Sequence, residues 1–412
     1  MKAEPRPEYL RIGADYYKRI INQDASGNPY DEIRLWTRQA FIDDFGKDEL
    51  KQIKRYDAFT NIPDNGSGDV VVEGHLYNLY SPIEQFPAPG EWPWTEILLR
   101  HVFQDQYELG LDYIQLLFTK PLQILPILCL VSRENVTGKT TFLNWLRMIF
   151  KANMIVVGDS DVHSRFNSHY AHKLIIAVDE SRIDKESSLE KLKALATQRT
   201  INYEGKFMNA YTIPFFGKFI LCSNYEDNFI NAKDEDIRYW IRKLTKPVNH
   251  NINIEDDLDR ELPAFLYDLQ SRELSTLKQS RMWFSPDQLE TDALAAVRYQ
   301  SKSWLYKELD ELISSYFMQH ENLKQFKADP TDIKLKWFNN NQRAEISYIR
   351  KVIKLEYKLE PELCRYFPFE ELVESKTGRA FTFLRSGFIT EQEPEIISEP
   401  EPIKQSQDDL PF

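Results

Sequence analysis

Pro126-Ile127-Leu128-Cys129-Leu130-Val131-Ser132-Arg133-Glu134-Asn135-Val136-Thr137-Gly138-Lys139-Thr140-Thr141-Phe142-Leu143-Asn144-Trp145-Leu146 reads as a buried strand, a tight loop and a helix in succession. The run Ile127 to Val131 suits a parallel strand covered on both faces. Phe142, Leu143, Leu146 and Ile149 then recur at helical spacing. Between them, backbone N–H groups opening the helix have no intrahelical acceptor, which is what a polyphosphate needs. Residues Glu134 to Thr141 would form that cradle, with Lys139 approaching β and γ oxygens and the Thr140 hydroxyl holding Mg²⁺. The first glycine of G-x-x-x-x-G-K-[ST] falls on Arg133, so the full pattern is not met. Taken alone, the stretch could also be a core strand and helix joined by a polar turn.

Composition bounds the remaining classes. The 412 residues suffice for two or three domains, and 42% hydrophobic with 28% charged residues is the balance of a soluble globular chain. No apolar run approaches the about 18–20 residues of a membrane span, and Met1-Lys2-Ala3-Glu4-Pro5 lacks the apolar core of a secretory signal. A cytoplasmic location, with no membrane partner, is therefore expected. Cys129, Cys222 and Cys364 form no C-x-x-C pair, and the first two lie in apolar strands as small core side chains. His163, His169 and His172 are the one cluster dense enough to examine for a metal. A net charge of -12 argues against a surface that coats nucleic acid throughout. It leaves room for basic side chains confined to the bore of a ring.

Along the chain, Pro7 to about Lys54 carries an aromatic-rich helical pattern, with Tyr16, Tyr17, Ile20 and Ile21 and then Leu35, Trp36, Ala40 and Phe41. The turn signal Asp64-Asn65-Gly66-Ser67-Gly68-Asp69, followed by Val70-Val71-Val72 and Tyr77 to Pro82, predicts a hairpin or small sheet. Pro87, Pro89 and Gly90 make a linker, and Trp94 to Thr119 resumes a helical pattern with Ile97, Leu98, Val102, Tyr107, Leu111, Ile114 and Leu117 on one face. From Pro126 to about Pro247 strands alternate with helices, so an α/β sheet is expected.

Two further strands end in chemistry. Lys173-Leu174-Ile175-Ile176-Ala177-Val178 leads into Asp179-Glu180, placing Asp179 at the carboxyl edge of the sheet, where it can hold Mg²⁺ through water. Glu180 can take a proton from the water that attacks the γ-phosphate. Phe219 to Ser223 leads into Asn224, whose amide can orient that water or sense the phosphate. Each alone would be an ordinary polar strand end. Asp236-Ile237-Arg238-Tyr239-Trp240-Ile241-Arg242 then enters a last strand, and its arginines could reach the nucleotide of a neighbouring subunit.

In this order the parts resemble the superfamily-3 helicases, the AAA+ type ring motors of viruses, phages and plasmids, and within them the helicase halves of phage and plasmid primase-helicases. The resemblance covers about Ile97 to Leu269. It implies an α/β, AAA+ type P-loop NTPase core using ATP and Mg²⁺, with Lys139 and Thr140 for nucleotide and metal, Asp179 and Glu180 as the acidic motif, and Asn224 as the sensor. It implies an arginine finger at Arg238, with Arg242 as the other candidate, and a hexamer moving 3′ to 5′ on single-stranded or forked DNA. It also implies a DNA-contacting segment between acidic motif and sensor, Leu192 to Tyr211. There Glu204-Gly205-Lys206 suits a hairpin turn, so Lys206 could grip a phosphate and Phe207 a sugar or base, with Lys193 nearby. A solvated turn explains Lys206 as well. The helix Leu258 to Leu266 matches one that follows the motor and reads as packing.

The expected organisation is a mainly helical N-terminal region with some strand at 1–90, a helical collar-like segment at 91–125, the motor at 126–275, a winged-helix-like α+β module at 276–390 and a disordered acidic tail at 391–412. Helices from Trp304 to Phe317 and Ser347 to Leu355, with a hairpin strand at Lys376 to Leu384, are compatible with a winged helix. Arg350, Lys351, Lys354, Lys376 and Arg379 would give it a basic side. The final Asp408-Asp409-Leu410-Pro411-Phe412 closely resembles the acidic tip of bacterial single-stranded-DNA-binding proteins, which implies docking to host proteins that bind such a tip in the bacterial cytoplasm. The expected function is an ATP-dependent helicase or translocase of a mobile element. The alternative is an AAA+ ATPase that loads or remodels replication factors on DNA without unwinding.

Overall fold

The computed structural model describes residues 8–23, 29–63, 71–72, 75–81, 83, 85–164, 166–179, 186–204, 211–234, 236–247, 251–371 and 374–389. The chain divides into two compact units, 1–301 and 302–412.

Strand, not helix, dominates the start. β1 (Tyr9–Ile12), β2 (Asp15–Gln23), β3 (Pro29–Trp36) and β4 (Lys54–Tyr56) form a sheet in the order β3-β2-β1-β4, with α1 (Arg38–Phe45) the one α-helix among the described residues of this part. Gly13, at φ +57°, turns β1 back onto β2. Leu10, Ile12, Tyr17, Tyr56 and Tyr77 close a small core on one face. The aromatic and β-branched residues that suggested a helix are also strong strand formers, and long-range pairing decided between the two. The small sheet expected next is β5 (Phe59–Thr60), β6 (Val71–Val72) and β7 (Leu76–Asn78), in the order β5-β7-β6.

The collar segment is two helices, α2 (Pro93–Phe103) and α3 (Tyr107–Thr119), broken at Gln104, whose φ is +47°. Ile97, expected to face inward, is exposed. Gly110 on α3 leaves room for the Phe103 ring, which would lie 2.2 Å from a Cβ there. The N–H groups of Trp94 and Thr95 donate to the buried Glu261 carboxylate at 3.1 and 2.8 Å, a cap supplied from a distant helix.

The middle of the chain builds a five-stranded parallel sheet. β8 (Ile127–Val131), β9 (Met154–Val157), β10 (Ile175–Val178), β13 (Lys218–Ser223) and β14 (Tyr239–Lys243) lie in the order β14-β8-β13-β10-β9. Between β8 and β9 runs α4 (Lys139–Phe150), and α5 (Asp159–His163) follows β9. After β10 come α6 (Glu186–Leu195) and an antiparallel hairpin, β11 (Thr200–Tyr203) and β12 (Tyr211–Pro214). α7 (Ile254–Ser271) and α8 (Asp292–Gln300) complete the unit. Every residue of β8 is buried, Leu128 and Leu130 packing into one core and Ile127, Cys129 and Val131 into the other. Each such side chain contributes about 1.5–3 kcal/mol when fully buried, which is why this all-apolar run had to be an interior parallel strand.

α8 lies against β14, and the Thr291 hydroxyl donates to the Ile241 carbonyl at 2.8 Å. The C-terminal module therefore begins at 302 rather than 276. It contains α9 (Trp304–Gln319), β15 (Gln325–Ala328), α10 (Pro330–Trp337), α11 (Ile346–Leu355), β16 (Glu362–Tyr366) and β17 (Lys376–Leu384), with an antiparallel sheet ordered β15-β17-β16. Of its expected basic side, Lys376 is tied to Asp329 and Asp332, each at 2.7 Å, and Lys354 to Glu360 at 3.2 Å. Arg350, Lys351 and Arg379 are exposed. The acidic tail, including Asp408, Asp409, Leu410, Pro411 and Phe412, lies outside the described residues.

Candidate functional site

Because β8, β13 and β10 are parallel neighbours, their carboxyl ends share one edge of the sheet, and the loops that leave them meet there. From β8 comes the loop 132–138 and then α4, whose N-cap Gly138 has φ +88° and offers no side-chain cap. The first-turn N–H groups of a helix of this length are therefore open to an anion. Val136 holds φ +60° while 69% exposed, a left-handed conformation that a β-branched residue adopts only under strain. The Thr137 hydroxyl is buried and finds no partner among the described residues.

Lys139 folds back onto the same edge. Its ammonium donates to the Ser132 carbonyl at 3.1 Å, the Ser223 carbonyl at 3.2 Å and the Asn224 side-chain oxygen at 2.8 Å. Burial pushes its pKa below the ordinary lysine range, and the Asp179 and Glu226 carboxylates oppose that shift. Asp179 leaves β10 with its N–H donating to the Val157 carbonyl at 3.3 Å. Lys139, Asn224 and Asp179 are thus brought to one rim, with Thr140 exposed in the first turn beside them. Glu180 lies outside the described residues, as do Lys206 and Phe207 in the connection between β11 and β12. The hairpin that carries those two is present, in the register Tyr203 to Tyr211.

Two assignments change. Lys193, expected to touch DNA, has a buried side chain, ion-paired to buried Asp236 at 3.0 Å and to Glu190 at 3.2 Å, so it presents no cation to a ligand. Arg242 is also buried. Its guanidinium donates to the Phe103 carbonyl, the Gln106 side-chain oxygen and Asp105 at 2.6–2.7 Å, pinning the break between α2 and α3 to the sheet. Arg238 pairs with Asp236 at 3.0 Å. It sits at the amino edge, where its carbonyl accepts the Ile127 N–H at 2.7 Å, so it does not join its own chain's rim.

Other residues at the rim carried no clear signal in the sequence. His101, on α2, places Nε2 3.0 Å from the Thr137 carbonyl and flanks Gly138. Glu226 accepts the Arg133 backbone N–H at 3.1 Å and the Lys243 ammonium at 2.8 Å. An acid two residues beyond Asn224 was the only hint available. Among the described residues no group of three or more His, Cys, Asp or Glu could hold a metal ion, and burial holds the His172 imidazole well below its usual range. The oxygens of Thr140 and Asp179, completed by phosphate and water, fit a hard cation such as Mg²⁺.

Residues 130–242 match the model of a family of unknown function, DUF5906. No curated protein matches. Among solved structures the chain is similar to the C-terminal region of NrS-1, residues 305–718, in its apo form, at 16% identity and a TM-score of 0.61 over 90% of this chain and 95% of that one. A second apo structure of that region gives 15% and 0.61, and another of its A form gives 15% and 0.64, with the same coverage. At these identities the likeness shows the fold alone. Among the described residues no helix is long and apolar enough to cross a membrane.

Proposed function

We propose that the chain is an ATP-driven DNA helicase or translocase of a phage, plasmid or other mobile element, working as an oligomeric ring. The observation that carries this reading is the convergence of Lys139, Asn224 and Asp179 on the carboxyl edge of three adjacent parallel strands, beside the uncapped start of α4. The AAA+ assignment of this sheet belongs to the same proposal.

The residues divide the work. Backbone N–H groups from Thr137 to Thr141 take the β and γ oxygens of ATP, and Lys139 exchanges its three internal acceptors for phosphate. Thr140 and Asp179 would hold Mg²⁺, which when bound neutralises charge on the β- and γ-phosphates. Asn224 orients the attacking water, and Glu180, next in sequence to Asp179, accepts its proton. Arg238, facing away from its own rim, serves a neighbouring chain's site. Lys206 and Phe207 on the hairpin connection grip one DNA strand. For the C-terminal module, the helix-strand-helix-helix-strand-strand order supports the winged-helix reading, with Arg350, Lys351 and Arg379 toward DNA.

The test is strand displacement on a fork together with ATP turnover. Wild type hydrolyses ATP and unwinds, Lys139→Ala does neither, and Lys206→Ala hydrolyses without unwinding. No ATP hydrolysis by wild type with DNA present would sink the proposal. Hydrolysis with no displacement by any form would favour a loader of other factors instead.

A further inference from the structure

Three neighbouring strands bring a carboxylate and two cations together at the mouth of the loop. Lys243 closes β14 opposite Val131, Arg133 follows β8, and Glu226 follows β13. Glu226 spans them, one oxygen accepting the Arg133 backbone N–H at 3.1 Å and the other lying 2.8 Å from the Lys243 ammonium and 3.8 Å from Arg133 Nε. Asp227 takes the far end of the guanidinium at 3.3 Å. The Glu226 side chain is only 16% exposed, whereas Lys243 and Arg133 are 55% and 67% exposed, so the anion sits inside and the cations remain within reach of a ligand.

We propose that Glu226 competes with the triphosphate for this corner, and that Arg133 and Lys243 are γ-phosphate ligands which it releases when ATP binds. The inference rests on the nucleotide reading above and deepens it. Arg133 occupies the position where the ordinary loop has a glycine, so a cation stands where that loop offers only backbone. A terminal phosphate carries more charge than one carboxylate and presents three acceptor oxygens, so it displaces Glu226 from both cations. A diphosphate has no group to do this. The clamp therefore makes the site prefer tri- over diphosphate, and Glu226 sets how strongly.

The experiment titrates the full chain with a β,γ-imido ATP analogue and with ADP, in Mg²⁺, alongside thermal unfolding. Glu226→Gln keeps an acceptor for the Arg133 N–H but removes the competing charge. It is expected to bind the analogue about tenfold more tightly while ADP affinity moves by less than about twofold. Arg133→Gln and Lys243→Gln are expected to lose the preference for the analogue. If Glu226 were only a brace for the loop, Glu226→Gln would bind the analogue equally or more weakly, and that result overturns the inference. Wild type binding neither nucleotide would instead remove the nucleotide reading, and this inference with it. Binding of both, unchanged by all three substitutions, removes this inference alone.

Discussion

The Lys139 ammonium and the Asn224 side-chain oxygen stand 2.8 Å apart, joining the loop after β8 to the end of the neighbouring β13. Lys139 and Asn224 are 85 positions apart in the chain, and the parallel pairing of Ser223 with Val131 is what brings them together. Asn224→Ala removes this amide while leaving the loop's N–H donors in place. Under the proposed function, kcat for ATP should fall by roughly 10²–10³, the usual cost of losing one placed polar group, with analogue affinity changed only a few-fold. Turnover and equilibrium binding measured on one preparation check this. An unchanged kcat takes Asn224 out of the chemistry.

What could be read in advance follows how local its cause is. The all-apolar Ile127 to Val131 had no other home than an interior strand, and residues just past such strands must emerge at one edge, so Lys139, Asp179 and Asn224 were legible together. Tyr16, Tyr17, Ile20 and Ile21 keep helical spacing but are of strand-forming types, and only pairing with β1 and β3 resolved them. Lys193 resembled a free cation because its partner, Asp236, is remote in sequence and local charge does not reveal burial. His101 reaches the loop from another helix, a contact with no sequence signature. Residues 276–301 join the first unit because α8 packs on β14, a tertiary contact with no local signal in the sequence.

The two arginines of the last strand should separate by assay. Arg242→Met takes a donor from the buried Phe103 carbonyl, a lost partner worth about 1–3 kcal/mol, while Gln106 keeps the Trp240 indole N–H at 2.7 Å, so thermal unfolding should shift down by a few degrees. Arg238→Ala takes one partner from buried Asp236, which keeps Lys193 at 3.0 Å, and should move the melting temperature less than Arg242→Met. If Arg238 serves a neighbouring site, the same change lowers ATP turnover at least about 10³-fold. Equal stability losses for the two would contradict the division of roles.

Val136 offers a test of loop strain. Its φ of +60° costs on the order of 1–3 kcal/mol for a β-branched side chain, and at 69% exposure little packing offsets it. Val136→Gly should therefore raise stability slightly, the relief exceeding glycine's entropic penalty of about 0.4–1 kcal/mol. Denaturant unfolding is the measurement. A loss of more than about 1 kcal/mol would mean that the valine is held by contacts stronger than the strain.

Lys218 predicts a pH dependence. At the start of β13 its ammonium is buried, donating to the Phe216 carbonyl at 2.7 Å and to the Pro121 carbonyl, and burial pushes its pKa down from 10.5 to about 7, with Arg199 adding to the shift. The unfolded chain then holds this proton up to about pH 10.4, while the folded chain releases it above about pH 7. Between those values the unfolded state binds more protons, so the Lys218 contribution to stability rises with pH. Below about pH 7 the full penalty of a buried cation remains, a few kcal/mol at most. Lys218→Met removes that penalty and loses two hydrogen bonds, so it should stabilise the first unit at pH 6–7 and lose the advantage by about pH 10. Urea unfolding at pH 6.5, 8.5 and 10 follows the difference between the two proteins. A difference that stays flat with pH would mean that Lys218 keeps its ordinary pKa, with water reaching its amine.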